Sequence, residues 1–294
     1  MKITVFTPTY NRGYIIDTLF QSLKRQTYTD FEWIVIDDGS DDDTESMFQK
    51  YQSVDNNFPI IYKKVHNGGK HRAINKGVSL AQGELFFIVD SDDYLTDNAL
   101  ERIVSVAESI PVDQVKNFAG VCGLRGYSAD TLIGKTFADI EYLDITTLER
   151  PKYGVYGDKA EVFYTDILKK YPFPEIENEN FITECVVWDK IAFDGYKLRF
   201  FNDIIYICDY LPDGLTKQGV SLFDKNPKGY GLYLYQSSIY GKINGLEKWN
   251  RFADFFYKNR KDFSFFEICR ILHLNPINFI LKILGLRLFY KIYR

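Results

Sequence analysis

A basic excess is the first thing missing from this chain. Its 36 Lys and Arg stand against 40 Asp and Glu, for a net charge of −4. A general nucleic-acid binder needs a cationic surface, so that class is disfavoured. Cysteine is scarce too. The four, Cys122, Cys185, Cys208 and Cys269, show no CxxC spacing, so neither a thiolate zinc site nor a disulfide framework is expected, and reduced, mostly buried thiols in a cytosolic protein are. Of the three histidines, His66 and His273 read as non-catalytic and His71 as a local structural group. No window of about 18 residues is free of charge, so no transmembrane helix is expected. The opening "MKITVFTPTYN" has too short an apolar run for a signal peptide. GxGxxG is absent after the first strand, which weakens a nicotinamide-enzyme reading.

What is present supports a packed fold. Hydrophobic residues make up 46% and charged residues 26% of 294, enough for one large α/β domain with an appendage or two modest ones. Ile3–Thr7, Phe31–Asp38, Pro59–Val65 and Glu84–Asp90 are strand-like. Between them Tyr14–Arg25, Asp41–Tyr51 and His71–Ala81 carry helical spacing or helix-start chemistry. Strand alternating with helix predicts right-handed βαβ units and a mainly parallel sheet, with ligands beyond the carboxyl ends of the strands. Further on, Phe118–Tyr127 and Leu198–Ile207 read as strands and Thr183–Phe193 as a helix. From about Ser221 the pattern is helical and aromatic.

The polar motifs fall at those strand ends. "ELFFIVDSDDYL" crowds Asp90, Asp92 and Asp93 at the end of an apolar run. The cluster is either helix-start chemistry before a helix near Thr96 or a set of hard oxygen ligands for a divalent cation that completes its shell with phosphates. Asp37-Asp38 ends the second strand, where Asp38 can accept from the N3–H of a uracil ring, while Asp41 to Asp43 read as an acidic helix cap. "TPTYN" puts Pro8 and Thr9 where their backbone could face a base. "NGGKHRAIN" brings a glycine pair and Lys70 to a helix N-terminus, a natural phosphate site.

Together TPTYN, DDGS, NGGKHRAIN and DSDD, in this order and spacing, resemble the nucleotide-sugar half of family 2 glycosyltransferases. The resemblance is strong over the first 100 residues or so and extends weakly to about residue 216. It implies a GT-A fold: a Rossmann-like, mainly parallel sheet flanked by helices. Here that would be a catalytic domain of residues 1–220, its nucleotide-sugar half 1–100 and acceptor half 101–220, followed by a C-terminal helical extension, 221–294. It implies that Pro8, Thr9 and Asp38 contact the nucleoside and Lys70 the base or phosphates. Tyr10, Asn11 and Ser91 complete the nucleotide-sugar set. Asp90 would approach ribose or metal, and Asp92 would ligate Mn²⁺ or Mg²⁺. The implied reaction is inverting, metal-dependent transfer from a nucleotide-sugar, a UDP-sugar first, to a saccharide or lipid-linked acceptor in polysaccharide synthesis.

Such a displacement needs a base for the acceptor hydroxyl. Related enzymes open a helix with an acidic pair in the region of Glu177–Ala192. Here the pair is Glu184-Cys185, the second acid missing. Glu184 is the expected base, with Asp189 and Glu179 as alternatives. Trp188 floors a sugar site or belongs to the core, and Asp213 lies in a turn, "YLPDGLT", that either orders over the diphosphate or is plain surface. In the tail, Lys282, Arg287, Lys291 and Arg294 punctuate an apolar helix without an acid. That suits a membrane interface, or docking on protein, and would place the chain in the cytoplasm, peripheral to the inner membrane. Two rival readings remain: a sugar nucleotidyltransferase, which would want a Gly-rich basic loop in place of TPTYN, and a non-catalytic nucleotide-sugar binder, favoured only by Cys185.

Overall fold

The computed structural model describes residues 1–208 and 219–292, the last seven of them as backbone alone. Strands β1 (Ile3–Thr9), β2 (Phe31–Asp37), β3 (Ile60–Lys64) and β4 (Leu85–Ile88) alternate with helices α1 (Ile16–Lys24), α2 (Thr44–Ser53) and α3 (Lys70–Leu80). They lie side by side in the order β3-β2-β1-β4, all parallel. Every residue of β1, β2 and β4 is buried, as a sheet covered on both faces requires, so these strands read as near-continuous apolar runs.

Beyond β4 the sheet changes character. A two-residue β5 (Tyr94–Leu95) and α4 (Ala99–Glu108) lead to β6 (Phe118–Ser128), β7 (Thr131–Leu132), β8 (Tyr142–Ile145) and β9 (Lys159–Tyr164). Helices α5 (Thr165–Lys170) and α6 (Cys185–Phe193) and strand β10 (Lys197–Ile207) follow. The sheet continues as β4-β9-β6-β10-β5, with β9 antiparallel to both neighbours and β10 parallel to β6. The sequence boundary at residues 100/101 falls inside α4, and this one sheet runs across it.

Each face of the sheet has its own core. On one, α1, α2 and α4 cover Val5, Trp33 and Phe87. Phe20 stacks on Tyr51 at 4.0 Å between ring centroids. Trp33, wholly buried, donates its indole N–H to Thr7 Oγ1 at 3.0 Å, so burying it costs no orphaned polar group. On the other face, α3, α5 and α6 cover Phe6, Phe86 and Phe163. Trp188 belongs to this packing. Its ring lies 4.4 Å from that of Phe163 and 5.5 Å from that of Phe173, which is the core alternative of its two readings.

The C-terminal helices α7 (Val220–Lys225), α8 (Pro227–Ile239), α9 (Gly245–Asn259), α10 (Phe265–Ile271) and α11 (Pro276–Ile292) gather a third core around Leu234, Phe252, Ile268, Leu272, Phe279 and Ile283. Two acids named above as alternative bases tie this bundle down. Glu179 is buried and accepts from the first-turn N–H groups of α8, at Lys228 and Gly229, both at 2.7 Å, which satisfies donors that a helix leaves open. Asp189 is buried against Lys242 Nζ at 2.6 Å. Both carboxylates are thus engaged in holding the C-terminal bundle.

Among the described residues no single helix is long and apolar enough to cross a membrane; α10 and the first part of α11 pass only as a pair, bent by 102°. Helix α11 docks by Phe279 and Ile283. Its Ile277, Ile280, Leu281 and Leu284 remain exposed, one i, i+3, i+4, i+7 stripe pointing away from the bundle.

Candidate active site

The site forms where β1, β2 and β4 end. At the end of β1, Pro8 and Thr9 are still strand, paired with Ile36 and Asp37. The Thr9 carbonyl accepts from Asp38 N–H at 2.8 Å and both residues are buried. Pairing with β2 thus engages the Thr9 carbonyl that the sequence reading offers to a base. What the segment exposes is Tyr10, 49% accessible. Asn11, at φ 52°, fixes the turn by donating its N–H to Ser40 Oγ at 2.8 Å and accepting from Asp41 N–H at 2.9 Å.

The acidic run after β2 divides its labour. Asp42 caps: its carboxylate accepts from Gly13 N–H and Thr44 N–H, each at 3.0 Å, and from the Thr44 hydroxyl, and these bonds outweigh burial to hold its pKa low. Asp37 accepts from Ser40 N–H and the Tyr62 hydroxyl. Asp38 takes Gly68 N–H on one oxygen and Gly69 N–H on the other, both at 2.8 Å. Burial nevertheless pushes its carboxyl above the usual value. Each oxygen keeps a second lone pair for a ligand donor.

Gly69 explains the glycine pair. It sits at φ 93°, and a Cβ there would lie 1.8 Å from the Asn180 carbonyl oxygen. Gly69→Ala should therefore lower stability by about 1–3 kcal/mol from backbone strain alone, and displace the Asn180 loop; a thermal melt and UDP titration check both. Beside this turn lies a depression of about 510 Å³ lined by His66, Asn67, Gly68, Arg72, Asn178 and Asn180. Arg72 holds its far wall, donating to the carbonyls of Gly68, Glu179 and Ile176 at 2.5–2.8 Å. Asn67 and Arg72 were not singled out from the sequence, although both stand in the NGGKHRAIN motif that could have flagged them.

The central feature joins three expected residues. Lys70, first residue of α3, reaches Asp90 Oδ1 at 2.6 Å and Glu184 Oε1 at 2.9 Å. Burial disfavours its charge, but the two carboxylates outweigh burial and raise its pKa, so it stays an ammonium. Asp90 is likewise opposed by burial yet held low by Lys70 and Arg125. Asp92 is different. Among the described residues no other residue's donor reaches its half-buried carboxylate, and burial and the Asp90 charge push its pKa up. The cluster is not a helix cap: α4 starts at Ala99, with Asn98 before it.

Glu184 immediately precedes α6, half-buried. His71 is 1% exposed; burial and Arg72 push its pKa down to about 4, and neither ring nitrogen has a partner, so it is a neutral interior group. His273 stacks on Tyr235 in the C-terminal bundle. Ser91 is buried. Asp213 and its turn lie outside the described residues. All four cysteines are free thiols, three of them buried.

Donor chemistry fits a hard divalent cation at Asp92 and Asp90: two carboxylates at one strand end, one without a partner. No group of three or more ligating side chains exists among the described residues, so a cation here would draw further oxygens from a bound phosphate or water.

Comparison with known proteins agrees with this architecture. Residues 4–142 match Glycosyl transferase family 2. Glycosyltransferase GlyG of Streptococcus pneumoniae is 27% identical over 70% of this chain and 69% of its own. The GalNAc(5)-diNAcBac-PP-undecaprenol beta-1,3-glucosyltransferase of Campylobacter jejuni is 33% identical over 36% of this chain, but that covers only 34% of the relative. Among solved structures, S. aureus TarS 1-349 in complex with UDP superposes with a TM-score of 0.60 at 20% identity, over 90% of this chain and 73% of that one. Mannosyltransferase PcManGT from Pyrobaculum calidifontis, in complex with GDP-Man and Mn2+, superposes at 0.52 with 18% identity, over 97% and 73%. With the βαβ sheet, the carboxylates at its ligand edge and the match over residues 4–142 in agreement, this chain carries a Glycosyl transferase family 2 domain.

Proposed function

We propose that the chain is an inverting, metal-dependent transferase that moves a sugar from a UDP-sugar to a lipid-linked saccharide during bacterial polysaccharide synthesis. One observation carries the reading: Lys70 bridges Asp90 and Glu184, so the groups proposed as phosphate contact, metal ligand and base converge on one point beside Asp92. The nucleoside lies in the depression by Asn67 and Gly68, with uracil N3–H on Asp38 and Tyr10 against the ring. The UDP and Mn2+ in the two neighbours' structures support this kind of donor and ion. Asp92 and Asp90 would hold Mn²⁺ or Mg²⁺, whose chemistry when bound is neutralisation of a diphosphate's charge.

The chain's own groups do the rest. A diphosphate arriving beside Lys70 competes for its ammonium and so releases Glu184. Glu184 then takes the acceptor hydroxyl proton as that oxygen attacks the anomeric carbon. The bond from that carbon to the diphosphate oxygen breaks, UDP leaves with its electron pair, and a single in-line attack inverts the centre. Incubation with UDP-sugars, Mn²⁺ and a lipid-linked acceptor, followed by mass spectrometry and linkage analysis, tests the reading. No UDP release with any sugar, or a retained configuration, overturns it.

The lipid-linked acceptor rests on the exposed stripe of α11 and on the undecaprenol in the Campylobacter relative's name. From Ile268 to Arg294 the chain has no acid and five Lys or Arg, and each near an anionic surface contributes about 1 kcal/mol. The intact chain should co-sediment with anionic vesicles at low salt and release at high salt. Ile277→Ser, Ile280→Ser, Leu281→Ser and Leu284→Ser combined leave Phe279 and Ile283 in place, so that variant should stay folded and remain in the supernatant. Equal binding by both chains would assign the stripe to another protein.

A further inference from the structure

Tyr206 has no place in the reading above, yet it is among the largest fully buried side chains. It stands on β10, well over one hundred residues from the strand end it touches. Its hydroxyl accepts from Asp90 N–H at 2.9 Å and donates to Asp93 Oδ2 at 2.6 Å. One oxygen thus grips both ends of the Asp90–Asp93 turn, with Asp92 between. The ring is itself held: Arg125 lies over its face at 4.2 Å and Phe87 packs at 6.1 Å, edge-on. Arg125 in turn donates Nε–H to the Lys159 carbonyl at 2.8 Å. Backbone pairing of Tyr206 and Ile207 with Leu95 and Tyr94 fixes the residues just after the turn.

The geometry points to Tyr206 as the positioning residue of the metal-binding turn, deepening the metal-dependent reading on which it rests. Among the described residues no other residue donates a hydrogen bond to the Asp92 carboxylate, and it neighbours the like charge of Asp90. The turn is closed from inside by Asp93 N–H on the Asp90 carbonyl at 3.2 Å, and the Tyr206 hydroxyl adds a second hold on both ends from outside, against that repulsion. The Asp90 carboxylate is steered by Lys70, but its backbone, and hence the direction of Asp92, is steered by the Tyr206 hydroxyl. Small cations of the Mg²⁺ and Mn²⁺ type demand near-ideal octahedral geometry, so a loosened turn loses the cation before it loses the nucleotide. Because β10 belongs to the acceptor half, the clamp also makes the metal site answer to strands on that side.

The test is calorimetric UDP binding across a Mn²⁺ titration and in EDTA, for the full chain, Tyr206→Phe and Asp93→Ala. Tyr206→Phe keeps the ring and its Arg125 stacking and removes only the oxygen. Asp93→Ala leaves the oxygen and removes its acceptor. The expected result is at least a tenfold rise in the Mn²⁺ concentration needed for tight UDP binding in both variants, with UDP affinity in EDTA within twofold of the parent. A folded variant with the parent's Mn²⁺ requirement overturns the clamp. If one variant fails to bind UDP even in EDTA, the other decides alone. If both fail, Tyr206 is a folding element and the proposal is lost. A parent whose UDP affinity ignores Mn²⁺ overturns instead the metal reading beneath it.

Discussion

Asp92→Asn removes transfer and leaves the fold intact. The loss expected is about 10²–10³-fold or more, the scale of deleting one preorganised group that faces developing charge. The reason lies in what surrounds the carboxylate. Among the described residues no other residue donates a hydrogen bond to Asp92, so its replacement orphans no such donor, and the amide has the same shape. Its effect on stability has a definite sign. Burial and the charge of Asp90 raise its pKa in the folded state. A carboxyl shifted that way opposes folding at pH 7, where the unfolded chain holds it ionised and the folded chain resists doing so. Replacing it with a neutral amide should therefore leave the melting temperature unchanged or slightly higher. UDP affinity should fall toward its metal-free value in Mn²⁺ and not change in EDTA. Parent and variant binding UDP equally in Mn²⁺ would remove Asp92 from the metal site.

Glu184→Gln should keep UDP affinity and lose transfer by about 10²–10⁴-fold, the usual contribution of a positioned base. The amide can still accept from Lys70 Nζ, so the bridge to Asp90 is weakened rather than dismantled. That separates the variant from Lys70 substitutions, which strip a cation from the donor side. The structure narrows the alternatives, since Asp189 and Glu179 are both engaged with the C-terminal bundle. A Glu184→Gln enzyme that transfers at the parental rate, measured in single turnovers with saturating donor, would mean another group accepts the proton. Glu161 is then the one to examine, a half-buried β9 carboxylate whose pKa burial raises and which senses Arg150, Arg125 and Glu184.

The sequence by itself determined the first half of the fold. Apolar runs at β1, β2 and β4 are long enough to be buried on both faces, and the polar motifs follow them directly, so strand ends and ligand edge coincide within a few residues. It also named groups that meet at the site: Lys70 and Asp90 stand in motifs at strand ends, and Glu184 came from the resemblance to family 2 enzymes. Tertiary structure alone decided the rest. Order in the second half of the sheet depends on pairings distant in sequence, with β9 entering antiparallel between β4 and β6, and no local pattern encodes a partner a hundred residues away. Pairing with β2 engages the Thr9 carbonyl, which its local sequence does not announce. Glu179 and Asp189 look in sequence as free to act as Glu184 does. Only the docking of α8 and Lys242 shows that both are engaged with the C-terminal bundle. Tyr206 is one of 22 tyrosines, and nothing in its neighbourhood along the chain announces that its hydroxyl faces the Asp90–Asp93 turn; that is settled by the three-dimensional register of β10 against β5.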